Sequence, residues 1–387
     1  MGGAPRIRLP RPARPLVSVL IPAFRNPELL ARCLGSLAGL RRETTPFETV
    51  LVLNGAAPAV VDLVSSAVSG ATVVPSEVNR GIAGGFNLGA AHARGDYLLL
   101  AQDDVLADQG WIEGLLDALA RYPEAGAAGS LTLDSEGRLQ SAGAVLWRDG
   151  STSPPWPGEP PDPEGFTEPF PVDYCGTCSL MVRRSVWLAI GGADEAFFPA
   201  YYVDVDLCLA IRALGRTVLC APGSRIRHRR GASTSLSFRW FLTGENRRRL
   251  LAKWPAALAE QAERSEPLEA ALAEAERLAG ARARESAERF LEAPPAGDPE
   301  PAAEPSPQPA VRSPVDYLRR ELELWQGYGE WLEARVTERS EQLRVLEGHY
   351  RNLEGHALGL EANLARKDEH IAELERELRL LGRGERP

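Results

Sequence analysis

The sequence predicts an α/β protein: a mainly parallel sheet with helices on both faces, then a helical segment and a long C-terminal coiled-coil helix. Three observations predict it. Short β-rich runs alternate with helical segments through the first half, the order that joins parallel strands by crossover helices. Residues from about 256 to 292 are rich in Ala, Glu and Arg and carry no β-branched run. From Leu318 to Leu381 the apolar residues recur in 4-3 alternation.

The elements follow in order. Val17–Ile21 is predicted as a strand, and Pro27–Leu40 as a helix with Leu29, Leu30, Cys33, Leu34 and Leu37 on one face. Thr49–Leu53 is the next predicted strand, Ala59–Ser69 a helix, Ala71–Val74 a short strand and Gly84–Ala93 a helix. Tyr97–Ala101 is expected to be a strand and Trp111–Arg121 a helix. Leu207, Leu209, Ile211 and Leu214 suggest a helix running to Gly215. The stretch 256–292 reads as helix broken near Pro267. Residues 293–314 are rich in Pro and read as a semi-extended linker. In the tail, sixteen of nineteen seam positions are apolar, with Gly329, Arg339 and Lys367 the exceptions. A spacing of about 3.5 residues implies left-handed supercoiling, and the rod would be roughly 95 Å long. Such a stripe needs a partner helix, so self-association through residues 318–381 is expected. Residues 1–15, with Arg6, Arg8, Arg11 and Arg14, form a basic flexible arm without the apolar core of a secretory signal.

Composition narrows the function. The chain has 387 residues, 44% hydrophobic and 25% charged, which excludes general disorder. No run of 18 apolar residues is present, so no membrane-spanning helix is expected. A net charge of −9 disfavours a nucleic-acid binder. Five cysteines make no disulfide framework and suit a reducing cytoplasm. Cys175-Gly176-Thr177-Cys178 has the form of a thiol redox motif but does not open a helix after the first strand of a βαβ unit, and a lone pair of this kind is a poor zinc site.

Polar and glycine residues gather where the predicted strands end, the edge on which ligands bind in parallel sheets. The first strand leads into Pro22 and Ala23, the second into Asn54, the third into Asn79, Gly81 and Gly84, and the fourth into Gln102, Asp103 and Asp104. Glycines at a helix start allow backbone N–H groups to approach a phosphate. The pattern is not GxGxxG, which disfavours a nicotinamide oxidoreductase. An acidic pair after a buried strand suits Mg2+ or Mn2+ bridging a nucleotide diphosphate. Asp204 and Asp206 lie near a helix N-terminus, where capping is the plain structural role. His228 lies in a basic turn and is a candidate metal or phosphate ligand. Arg247, Arg248 and Arg249 add charge for an anionic acceptor or membrane surface.

These residues resemble family 2 glycosyltransferases of the GT-A fold, and most closely their bacterial rhamnosyltransferase-like branch. The resemblance rests on Val17–Pro22, Asn79–Gly89, Gly95–Leu100 with Asp103-Asp104, Gly176–Arg184, Gly191–Phe198 with Asp204–Cys208, and His228 with Gly231–Thr234. It covers about 220 residues, with domain bounds of 16–255, and leaves the tail aside. It implies a cytoplasmic inverting transferase, possibly peripheral at the inner face of the plasma membrane, that moves a sugar from a nucleotide-sugar donor to a hydroxyl of a glycan or lipid-linked acceptor. Pro22, Ala23, Asn54, Asn79 and Gly81 would line the nucleotide pocket. Asp104, helped by Asp103, would hold Mn2+ or Mg2+, Asp204 would act as base, and His228 would be a late metal or phosphate ligand. The chain departs from the family pattern at Leu53, where Asp is usual, and at Val203, where Glu is common; Gln102 holds the variable first place of the DXD-like triplet. These departures suit a second reading, a non-catalytic scaffold oligomerised by its coiled coil.

Overall fold

The structure is a computed structural model that describes residues 7–40, 44–155, 158, 166–228, 235–292, 313–346 and 354–382. Its centre is a ten-stranded sheet. In chain order its strands are β1 (Val17–Ala23), β2 (Phe47–Asn54), β3 (Thr72–Ser76), β4 (Tyr97–Ala101), β5 (Val105–Ala107), β6 (Ala125–Leu133), β7 (Leu139–Ser141), β8 (Phe170–Pro171), β9 (Ser179–Arg183) and β10 (Thr217–His228). Across the sheet the order is β8-β10-β6-β9-β4-β1-β2-β3, with β5 added to β10 and β7 to β6. Helices α1 (Pro27–Ala38), α2 (Pro58–Ala67), α3 (Gly81–His92) and α4 (Trp111–Arg121) alternate with the first strands.

The alternation read from the sequence is present, and the predicted span of α4 is the observed one. Strands β4, β1, β2 and β3 are mutually parallel. Beyond them the sheet is mixed: β9 is antiparallel to both neighbours, β4 and β6, while β6 and β10 are parallel. Every residue of β1 is buried, because helices cover both faces. Leu20, Val50, Val52 and Leu98 meet Phe86 of α3 on one face. Val19, Ile21 and Leu51 meet Leu30 and Leu34 of α1 and Trp111 of α4 on the other. Helix α1 starts where the sequence says it should: Asn26 Oδ1 accepts from the Leu29 N–H at 3.0 Å, and Pro27 takes the first turn.

The later helices are α5 (Arg184–Ala189), α6 (Val203–Ala213), α7 (Leu236–Lys253), α8 (Pro255–Ala259) and α9 (Leu268–Glu292). The break expected near Pro267 separates α8 from α9. Helix α9 packs on β8 and β10, and its buried Ala271 and Ala275 join Val145 and Trp147 in a small apolar cluster. Arg282 of α9 and Arg212 of α6 both pair with buried Asp173, which also accepts from the Leu146 N–H at 3.0 Å.

Two compact units divide the chain: 1–234 with 243–310, and 235–242 with 311–387. In the second unit the expected single rod is replaced by two helices, α10 (Pro314–Leu346) and α11 (Glu354–Gly382), which pack on each other. Their contacts pair Glu321 with His370 and Gly329 with Lys367, so they run antiparallel. Among the described residues, the helix that opens the apolar stripe packs against another helix of the same chain. Phe238, Phe241, Trp325, Tyr328 and Trp331 form an aromatic cluster there, with Phe238 stacked on Trp325 at 4.6 Å between ring centres. Lys367, expected to weaken the seam, lies over Gly329; a Cβ there would come within 2.3 Å of the lysine stem. Of the sequence expectations, the linker 293–312, the seam positions Tyr350 and Leu353, Gly231–Thr234 and residues 1–6 of the arm lie outside the described residues. Among the described residues no helix is long and apolar enough to cross a membrane.

Candidate active site

The carboxyl ends of the parallel strands carry the predicted residues. Asn54, at the end of β2, is 3% exposed and turned onto the loop that enters α3. Its Nδ2 donates to the Gly81 carbonyl at 3.0 Å and to Asn79 Oδ1 at 3.3 Å, and its Oδ1 accepts from the Arg80 N–H at 2.9 Å. Asn79 Oδ1 also accepts from the Gly81 N–H at 2.9 Å. Asn54 therefore shapes the loop and has no free amide group to offer a nucleotide, a finer role than the pocket lining expected of it.

Two glycines let this loop close. Gly81 has φ +69°, and a Cβ there would lie 2.8 Å from the Pro199 carbonyl oxygen. A Cβ on Gly85 would lie 2.9 Å from Pro22 Cβ, so α3 can approach β1 only without a side chain there. Gly84 is buried in the same turn, and Ala23 is fully buried at the end of β1. The Ile82 N–H donates to the Pro199 carbonyl at 2.7 Å, which fastens the α3 entry to the segment leading to Asp204.

Beside β1, Asp103 Oδ2 accepts from the Phe24 N–H at 3.4 Å. Burial, then the neighbouring Asp104 charge, pushes the Asp103 carboxyl up to about 6. Gln102 is half-buried, and its backbone carbonyl accepts from the Val105 N–H at 3.4 Å. Asp104 meets a residue far away in sequence. Strands β5 and β10 pair antiparallel with Val105 opposite His228, and this ladder sets His228 Nε2 3.4 Å from Asp104 Oδ1. That oxygen is buried and has no hydrogen-bond partner. On the other side of the ring, His228 Nδ1 lies 2.9 Å from Gln140 Oε1.

Asp204 starts α6 after two residues in left-handed conformation, Tyr201 at φ +68° and Tyr202 at φ +65°. Such backbone is held only when its surroundings over-determine it. Buried Asn246 does this, donating from Nδ2 to the carbonyls of Ala200 at 2.8 Å and Tyr201 at 3.0 Å, while the Tyr202 hydroxyl donates to the Gly150 carbonyl at 2.9 Å. Asp204 Oδ1 accepts from the Val205 N–H at 3.0 Å, a local bond that lowers the pKa. Burial outweighs it and pushes the carboxyl up to about 6, toward the range of a useful base. Asp206 is differently placed: its Oδ1 accepts from Lys253 Nζ and Trp254 Nε1, both at 2.7 Å, so that carboxylate is committed to structure. A Cβ on Gly176 would lie 3.4 Å from Cys178 Sγ and 3.8 Å from Asp204 Oδ2, so Asp204 lies beside Cys178, whose thiol is also raised by the charges of Asp104 and Asp204. Its thiol is pushed up to about 12, chiefly by burial, and all five cysteines are free.

Asp104 and His228 fit a divalent cation. One offers a bare oxygen, the other a ring nitrogen facing it. Among the described residues no group of three or more His, Cys, Asp or Glu could enclose a metal ion. A cation here would keep positions open for water and diphosphate oxygens. Gln140, Asn246 and the strained tyrosines could not be found by spacing, since their partners lie tens of residues away. Arg247 bonds the Asp149 carbonyl at 2.7 Å and its carboxylate at 2.6 Å, so that arginine is tied to its own surface.

Residues 18–188 match the sequence profile of Glycosyl transferase family 2. The chain is 31% identical over 242 residues to the O-antigen biosynthesis protein RfbC of Myxococcus xanthus, covering 59% of this chain and 18% of that one. It is 33% identical over 150 residues to an N-acetylglucosaminyl-diphospho-decaprenol L-rhamnosyltransferase of Mycobacterium tuberculosis, covering 36% of this chain and 48% of that one. The chain thus spans less than half the length of either relative. It also aligns with a crystal structure of GalNAc-T7 with UDP, GalNAc and Mn2+, at TM-score 0.49 and 16% identity, over 64% of this chain and 50% of that chain. Residues 18–188, which build nine strands of the sheet and carry the acidic pair at its carboxyl edge, are where the chain is similar to the family 2 glycosyltransferases.

Proposed function

We propose that the chain is an inverting glycosyltransferase that moves a sugar from a nucleotide-diphosphate donor to a hydroxyl in surface glycan assembly. The observation that carries the proposal is the bare, buried Asp104 oxygen facing His228 in the neighbourhood of Asp204. A scaffold would have no use for this arrangement, because an unpaired buried oxygen and a desolvated carboxyl both oppose folding. The relatives favour a nucleotide-activated 6-deoxyhexose of the L-rhamnose type as donor and a lipid-linked diphospho-sugar as acceptor.

In this reading the loop held by Asn54 presents the α3 backbone to the donor, and Asp104 with His228 holds Mn2+ or Mg2+ beside the diphosphate. When bound, that cation would neutralise charge developing on the leaving group. Asp204 takes the proton from the acceptor hydroxyl as its oxygen attacks the anomeric carbon on the face opposite the diphosphate. Burial makes Asp204 basic enough for this, and the tyrosine turn holds it in place.

The test incubates the purified chain with a panel of sugar nucleotides, with Mn2+ and with EDTA. Transfer or donor hydrolysis that requires the metal is expected. Asp204→Asn should abolish transfer and spare donor binding, and full turnover by that variant would refute its role. Asp104→Ala should weaken metal-dependent donor affinity; a donor titration indifferent to EDTA would count against the cation.

A further inference from the structure

Gln140 meets His228 twice. Its Nε2 donates to the His228 backbone carbonyl at 3.2 Å, and its Oε1 lies 2.9 Å from His228 Nδ1. The first bond fixes the amide, because a carbonyl oxygen can only accept and so must face the NH2. The amide oxygen is thereby turned to the ring. That oxygen can only accept as well, so Nδ1 carries the proton. In the neutral ring the other nitrogen, Nε2, is then a bare lone pair. It lies 3.4 Å from Asp104 Oδ1, an oxygen with no hydrogen-bond partner.

The backbone aims Gln140 at this spot. Strand β7 pairs with β6 through Thr132 with Ser141 and Leu133 with Leu139. One residue, Gln140, is left over as a bulge between those pairs. Bulges turn a side chain out of the alternating pattern and recur beside active sites. The last residues of β6 also pair with β10, through Leu133 and Arg227, so the bulge lies near the strand end that carries His228.

We infer that Gln140 is a positioning residue: it holds the Nδ1–H of His228 and so leaves Nε2 as the ring nitrogen that can ligate a divalent cation together with Asp104. The inference rests on the cation reading above and adds to it a residue that never touches the metal. Outer partners of this kind tune affinity by orienting the ligand.

Two variants of the full chain test it. Gln140→Leu removes both bonds, whereas Gln140→Glu keeps an acceptor at Nδ1. Two-bond 15N–1H imidazole spectra of the metal-free protein report the tautomer, with the His228 signal assigned by its loss in His228→Gln. Mn2+ affinity is read by EPR. In wild type the neutral form of the ring should carry its proton on Nδ1. In Gln140→Leu the signal should move toward Nε2–H and Mn2+ should bind about tenfold or more weakly. Gln140→Glu should keep the tautomer and bind Mn2+ no more weakly than wild type, which separates positioning from a loss of folding. Wild-type affinity or an unchanged tautomer in Gln140→Leu overturns the inference alone. A wild-type neutral ring that carries its proton on Nε2 also overturns it. A wild-type protein with the Nδ1–H tautomer that binds no Mn2+ overturns the cation reading, and the inference with it.

Discussion

Asp204 couples folding and catalysis to pH with opposite signs. Its carboxyl is pushed from an ordinary 3.8 up to about 6, chiefly by burial. The folded state therefore holds the proton more tightly than the unfolded chain does. The associated stability is full below the unfolded value and is lost as pH rises through about 6. Asp204→Asn removes that loss and keeps an oxygen to accept from Val205, so it should melt higher than wild type at pH 8, by at most about 3 kcal/mol. The difference should vanish by about pH 4. Activity moves the other way: the base works only when ionised, so kcat/KM should rise with pH through about 6. Thermal melts and a pH–rate profile check the two arms, and parallel shifts of both would refute the assignment. Asn54 gives a second residue-scale prediction. Asn54→Ala breaks three bonds to the Asn79–Gly81 loop and should destabilise the fold by about 1–3 kcal/mol in urea unfolding, with a matching loss of donor affinity.

At the scale of elements, what the sequence could announce was local. The apolar face of α1 and its Asn26 cap are written in consecutive residues, and so are the alternating strands from Val17 to Ala101. The acidic pair after β4 was legible because charge at the end of a buried strand is poorly placed for stability unless a cation meets it, although a helix cap before Trp111 or a solvated turn would read the same way. What stayed hidden depended on pairing. Nothing within twenty residues of His228 says that β10 will run beside β5, and nothing near Leu139 says that β7 will bulge. The antiparallel insertion of β9 between β4 and β6 is of the same kind, since a five-residue apolar run does not state its direction. Gly85 tests the packing of α3 on β1. Gly85→Ala would set a Cβ 2.9 Å from Pro22 and should cost about 1–3 kcal/mol in denaturant unfolding, because neither backbone can yield cheaply. An unchanged midpoint would mean that α3 has slack it does not show.

At the scale of the whole molecule, the tail shows why a repeat is ambiguous about stoichiometry. A spacing of about 3.5 residues says that a helix wants a neighbour, and it is silent on whose chain provides it. Here α11 supplies the neighbour for α10. Light scattering of the full chain and of a chain ending at residue 292 should give one copy per particle in both. A larger assembly that disappears on truncation would show that the seam recruits a second copy instead. The pairing of Lys367 with Gly329 bears on how this hairpin closes. A long stem needs a notch, and the helix offers one at that position only where the glycine stands. Sliding α11 by a heptad in either direction would press the same amine-tipped stem against Leu322 or Val336. Misaligned closures are thus excluded by shape, and the tail can zip up in a single frame.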